Sequence, residues 1–302
     1  MKFSSQTDVL IVGGSFAGLS AALVLGRSRR TVQVLDAGQP ANRQTPHSHS
    51  FLTRDGEPPA QLAAVARAQA LAYPTVRLQT ATAVHVTREA GGFAVTTAEG
   101  EVFGTSRLLL ATGVADQLPD LPGFAECWGI SVLHCPYCHG YEVRDGALGV
   151  LANGDVAFEF SRLIFNWSRN LTLFTNGPAT LSPDQREALG QRGIAVVETP
   201  VAVISHRNGA MDGLTLADGT HAPLDAVFAR VPFTQTTDLG RQLGCEVDEL
   251  GLLKVDAYGR TNVEGVFAAG DNSSPLRQVV TAAANGAMAA AWLNREWVEK
   301  TF

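Results

Sequence analysis

In His134-Cys135-Pro136-Tyr137-Cys138-His139-Gly140, near the middle of the chain, two cysteines stand two residues apart with a histidine on either side. Thiols at that spacing close an intramolecular disulfide with little backbone movement, and their pKa values can be lowered until one is a thiolate near neutral pH. Imidazole titrates close to neutrality, so His139 or His134 can give or take the proton that exchange at sulfur requires. The stretch reads as a thiol-disulfide redox centre, with Cys135, Cys138, His139 and His134 as the catalytic group. Cys-x-x-Cys-His is also the signature of covalent haem attachment. Haem attachment follows export, however, and Met1-Lys2-Phe3-Ser4 leads into a strand pattern with no apolar signal region or cleavage site. A structural zinc site asks for a second pair of ligands, and Cys127 and Cys245 stand alone, so no metal is expected.

Cys-Pro-Tyr-Cys also looks like the glutaredoxin active site, where the motif opens a small thioredoxin-like domain. Here it lies between two nucleotide-binding patterns. Residues 7–38 read as a βαβ unit, with Asp8 to Val12 a buried strand, Gly13 to Gly18 the turn, Leu19 to Leu25 a small-residue helix and Val32 to Asp36 the second strand. Gly13 allows the tight turn, Gly14 and Ser15 continue it, and Gly18 lets the helix pack on the strand. The helix N-terminus then faces a pyrophosphate. Asp36 is placed to accept hydrogen bonds from a ribose. Residues 41–56 are polar and rich in ligand-capable side chains, read either as a solvated loop or as a wrap around a flavin. Pro58 to Tyr73 is alanine-rich and helical. Residues 76–111 alternate as a small meander ending in Ala111-Thr112-Gly113, with Asp116 close behind. The last piece, Val266 to Asp271, is a strand closing on Gly-Asp, and Arg277 to Met288 opens a terminal helix of small residues.

Composition narrows the class. At 302 residues, 45% apolar and 17% charged, the chain is an ordinary two-domain enzyme in make-up, and no apolar run reaches membrane-spanning length. A net charge of −6 with scattered Lys and Arg points away from nucleic acid and anionic membranes as partners. Four cysteines without an export signal argue for a reducing compartment, the cytoplasm, where a disulfide centre is catalytic rather than structural.

Taken in this order, the four pieces resemble the low-molecular-weight thioredoxin reductase family, and within it the thioredoxin-reductase-like dithiol oxidases that close the disulfide of gliotoxin or holomycin. The resemblance implies an α/β fold of two Rossmann-like, three-layer domains, the second inserted into the first. Residues 1–116 and 233–302 would bind FAD, and the inserted 117–232, of nicotinamide type, would carry the Cys pair. FAD contacts carry over to Gly13, Ser15, Gly18, Asp36, Asn42, Gly113, Asp271 and Gln278. Cys138 would face the flavin and Cys135 exchange with a dithiol or disulfide substrate, a small molecule or a thioredoxin-like protein. A homodimer is implied as well. The reductases have an aspartate after the second cysteine; His139 in that place, with His134 ahead of the pair, is more like the dithiol oxidases.

The inserted domain repeats the first unit. Ala147 to Gly177 lies on Asp8 to Gly38 without a gap, strand for strand and helix for helix. The ligand chemistry is not repeated: Gly13 meets Ala152, Gly18 meets Ala157, and the ribose carboxylate Asp36 meets Thr175, so a weakened NAD(P)H site is expected. The expected function is an FAD-dependent thiol-disulfide oxidoreductase, with oxygen as acceptor or a protein donor such as ferredoxin as alternative electron routes. A non-catalytic flavin redox sensor is the alternative of another class. Cys127, Cys245, Trp128 and Trp167 read as packing residues, and Trp292 and Trp297 as packing or dimer-facing.

Overall fold

The computed structural model describes residues 5–302, so the run-in from Met1 to Ser4 falls outside the described residues. In chain order a first run holds β1 (Ser5–Val12), α1 (Phe16–Arg27), β2 (Val32–Asp36), α2 (Pro59–Leu71), β3 (Val76–Thr80), β4 (Ala83–Glu89), β5 (Gly92–Thr97), β6 (Val102–Leu110) and β7 (Val114–Asp116). A second holds α3 (Phe124–Cys127), β8 (Val132–Leu133), α4 (Pro136–His139), β9 (Leu148–Leu151), α5 (Gly154–Ile164), β10 (Leu171–Phe174), α6 (Pro183–Gln191), β11 (Ala195–Val197), β12 (Val201–Arg207), β13 (Ala210–Leu216), β14 (His221–Pro223) and β15 (Ala226–Ala229). The chain ends with β16 (Phe233–Gln235), α7 (Leu239–Leu243), β17 (Val266–Ala268) and α8 (Val279–Thr301).

Two compact units result. One takes the residues up to Arg43, Phe51–Ala115 and Phe233–Phe302; the other takes Gln44–Ser50 and Asp116–Pro232. In the first, β3, β2, β1, β6 and β17 form a parallel sheet in that order. Val9, Leu10 and Ile11 on β1 and Leu108 and Leu109 on β6 are fully buried, as expected of parallel strands covered on both faces. The sequence pattern had put residues 76–80 in the meander; they pair with β2 instead, and only β4 and β5 fold back antiparallel onto the first half of β6. That leaves the second half of β6, Leu108–Leu110, to pair with β17.

The second unit has a parallel sheet in the order β11, β10, β9, β15, β8, and an antiparallel sheet of β12, β13 and β14. Both parallel sheets thus have the same layout, and the repeat holds to the residue: Val9 pairs with Val32, and Leu148, its counterpart, with Leu171. The fold is α/β with two Rossmann-like halves. Among the described residues no helix is long and apolar enough to cross a membrane.

Candidate active site

The cysteine pair lies just past the carboxyl end of β8, on the edge where open α/β sheets bind their ligands. Cys135 is the N-cap of α4 with extended backbone, and Pro136 holds the first helical position, where a missing N–H costs nothing. The N–H groups of Cys138 and His139 both donate to the Cys135 carbonyl. One helical turn therefore brings the sulfurs to the same side, and they form a disulfide with Cα atoms 5.3 Å apart. Gly140 closes the turn against Trp167; a Cβ there would meet the Pro136 carbonyl at 2.5 Å and the indole at 2.8 Å.

Three imidazoles gather at this turn. His134 leads from β8 into Cys135 and stacks on Trp128, with ring centroids 5.7 Å apart. His139 ends α4; burial first, then the charge of His134 and of His49, lower its pKa to about 4. His49 comes from the segment Gln44–Ser50, which packs with this unit rather than the one it follows in sequence. That segment is tied down by the Gln44 side chain donating to the Ala125 carbonyl, the Ser50 hydroxyl donating to the Tyr137 carbonyl, and the His49 Nε2 lying 3.4 Å from a Glu142 carboxylate oxygen. The sequence offered His47-Ser48-His49 as a polar loop and gave no hint of its destination.

In the first unit, the expected cofactor residues converge on the carboxyl edge of the parallel sheet. Gly13 has φ +109, and a Cβ there would lie 2.1 Å from the Ala111 carbonyl oxygen. A Cβ on Gly18 would lie 1.8 Å from the Gly13 carbonyl oxygen, and one on Gly14 would run into the Asp36 carboxyl. The helix starts at Phe16, earlier than Leu19, so Gly18 sits within its first turn. Ser15 is its N-cap but makes no side-chain cap, and the first turn carries no acid, so the amide donors there are left for an anion. Asp36 accepts from the Gly14 and Gly38 N–H groups and from Arg67. Gly113 takes φ +68 past the end of β6. Asp271 follows β17 and pairs with Arg277, and Gln278 is the N-cap of α8. Asn42 sits half-buried in the turn after β2. Asn272 was not singled out from the sequence. Fully buried, it donates to the Leu110 carbonyl and the Thr112 hydroxyl, while its Oδ1 has no protein partner among the described residues. A turn with no room for a side chain at Gly13, Gly14 or Gly18, an uncapped helix start and an orphaned buried acceptor fit the pyrophosphate and polyol of a flavin dinucleotide.

The second copy of the turn is arranged differently. Asn153 caps α5 by accepting from the Gly154 N–H, and the same oxygen accepts from the Thr180 N–H and hydroxyl, while its amide donates to the Pro178 carbonyl. Asp155 stands in the first turn, held by Gln185. Thr175, where Asp36 stands in the first copy, donates its hydroxyl to the Gly177 carbonyl.

Over residues 7–286 the chain matches the family model for pyridine nucleotide-disulphide oxidoreductases. It belongs to that family. This disulphide oxidoreductase is 34% identical to "Thioredoxin reductase tcpT" of Claviceps purpurea (strain 20.1), over 96% of this chain and 94% of the relative. Its structure is similar to a putative thioredoxin reductase from Bacillus anthracis (TM-score 0.93, 30% identity, 98% of this chain and 100% of the other). It is also similar to HlmI (TM-score 0.92, 37% identity, 97% and 93%). The oxidoreductase is therefore an enzyme of thiol-disulfide chemistry with the thioredoxin reductase fold, and its Cys135–Cys138 disulfide sits in the setting that chemistry needs.

Proposed function

We propose that the oxidoreductase is an FAD-dependent enzyme that oxidises dithiols to disulfides through Cys135 and Cys138, and that its second βαβ unit has lost effective NAD(P)H binding. The observation that carries this reading is the turn before α5. Its amide is taken by Asn153, Thr180 is drawn over it, and Asp155 adds a negative charge where a pyrophosphate would lie.

FAD would be held in residues 1–116 and 233–302, with Gly13, Gly14, Ser15 and Gly18 at the pyrophosphate, Asp36 at the ribose, and Asn42, Gly113, Asp271 and Gln278 completing the site. The inserted 117–232 carries the Cys pair. When bound, FAD supplies two-electron redox chemistry that reoxidises the pair. A substrate thiolate attacks the Cys135 sulfur, the bond to Cys138 breaks, and Cys138 leaves as a thiolate. The second substrate thiol then gives its proton to His139 and attacks the sulfur bound to Cys135, releasing the substrate disulfide; His134 assists at Cys135. Two electrons and two protons leave the dithiol and end on oxygen as hydrogen peroxide. The enzyme works as a homodimer in the cytoplasm.

Oxygen uptake by the holoenzyme with dithiothreitol tests this. Sustained uptake with equimolar peroxide, lost in Cys135→Ser and Cys138→Ser, is expected. One equivalent of oxidation followed by arrest would make the protein a sensor instead.

A further inference from the structure

A column of rings runs from His134, the residue before Cys135, through Trp128, which the sequence had left as packing, to Phe124. Phe124, 1% exposed, stacks on Trp128 at 5.7 Å and 20°, and Trp128 stacks on His134 at 5.7 Å and 27°. The backbone that carries the indole is held in place as well as the ring. The Trp128 backbone bridges to Val132, the Ile130 and Ser131 N–H groups donate to the Cys127 carbonyl, and the Ser131 hydroxyl donates to the Gly209 carbonyl. The indole N–H donates to the Asp116 carboxylate at 3.3 Å. A buried indole needs an acceptor, so that bond alone could be housekeeping. What gives it a role is the other end of the column, because the next ring belongs to the residue that precedes Cys135.

We propose that Trp128 and Asp116 are positioning residues for thiol exchange: Asp116 orients the indole, and the indole holds the His134 ring beside Cys135, where it receives the thiol proton. The proton leaves the Cys135 sulfur for the imidazole and gives a thiolate-imidazolium pair, a balanced transfer that needs no further reactant. The flat face of an indole favours an imidazolium over a neutral ring. The charged and titratable groups facing the turn leave room for that cation. His139 on α4 is neutral at pH 7, being held near 4. Glu142 lies beside His49, and Asp116 adds a negative charge behind the indole. The inference rests on Cys135 and Cys138 being the exchanging pair.

The experiment measures the rate of Cys135 alkylation by iodoacetamide against pH, in flavin-loaded protein carrying Cys138→Ser. The parent should react with a midpoint well below the ordinary thiol value of about 8.5. Adding Asp116→Ala or Trp128→Phe, which keeps the stack but not the N–H, should raise the midpoint by about one unit and slow alkylation about tenfold at pH 7. Asp116→Asn, which keeps an oxygen to accept the indole N–H, should restore most of the parent rate. A role confined to packing would leave the midpoint in place, so an unchanged midpoint in Asp116→Ala and Trp128→Phe overturns the proposal. A Cys135 that resists alkylation at every pH removes the exchange reading and this inference with it. Trp128→Leu is avoided because it opens the core around Phe124.

Discussion

His139 is held near 4 chiefly by burial and secondly by the positive charge of His134 and His49, so its ring keeps a free lone pair for a thiol proton across the neutral range. His139→Gln should therefore slow turnover by about 10²–10⁴-fold. The same shift acts on stability. Between about 4 and the ordinary imidazole value of 6.5 the unfolded chain binds the proton and the folded one does not, so stability is full above 6.5 and falls as pH drops toward 4, by up to about 3 kcal/mol. Urea unfolding at pH 7 and pH 4.5 checks this, because His139→Gln should lose less stability over that interval than the parent. If both lose the same amount, His139 is not the group that titrates. His134 and His139 were legible because they adjoin the cysteines in sequence. His49 and Asp116 were not, since a loop and a ring stack bring them there from outside the motif, and no local pattern records such a meeting.

Helix α8 meets α1 through a glycine, Gly286, set against Ala17. A Cβ on Gly286 would lie 2.1 Å from the Ala17 carbonyl oxygen, and Ser20 donates its hydroxyl to the Ala283 carbonyl across the same contact. Gly286→Ala has to push α8 off α1, and overpacking of this kind costs about 1–3 kcal/mol. Because α1 begins at the cofactor turn, the variant should also release flavin more readily, read as a lower unfolding midpoint in urea together with faster loss of yellow colour on dilution. A variant as stable as the parent would mean that the helices give way freely. The βαβ turn could be read from its own glycines, since Gly13, Gly14 and Gly18 fall together in one short run where strand gives way to helix, even though Gly13 and Gly14 close on Ala111 and Asp36 from elsewhere in the chain. The role of Gly286 could not, because its partner is on the first helix. For the same reason β3 was misplaced: its alternation fits a meander, and only pairing with Val32 to Asp36 moves it into the parallel sheet.

In the two parallel sheets four strands follow the same order, β3-β2-β1-β6 and β11-β10-β9-β15, which makes each half a control for the other. The repeat was legible because strand, turn and helix lengths match without a gap. How the second turn is closed was not, because Thr180 and Pro178 reach Asn153 from beyond the repeated stretch. In the first half the helix start has no side-chain cap and no acid in its first turn, and the strand after the helix ends in a carboxylate that accepts hydrogen bonds. In the second half the turn is capped by Asn153, the first helical turn carries Asp155, and Thr175 points a donor where Asp36 offers an acceptor. Reopening that turn means giving up the Asn153 bonds, and a missing charge-assisted bond to a ribose or phosphate costs about 1.5–3 kcal/mol, which is about ten- to a hundredfold in affinity. NADPH and NADH should thus reduce the flavin poorly, while a dithiol reduces it through the Cys pair. Stopped-flow mixing without oxygen measures both: slow, weakly saturating bleaching by either nucleotide beside fast bleaching by dithiothreitol is expected, with the dithiol phase lost in Cys138→Ser. Fast bleaching that saturates at micromolar NADPH would show that the capped turn opens at little cost, and the enzyme would then run on nicotinamide.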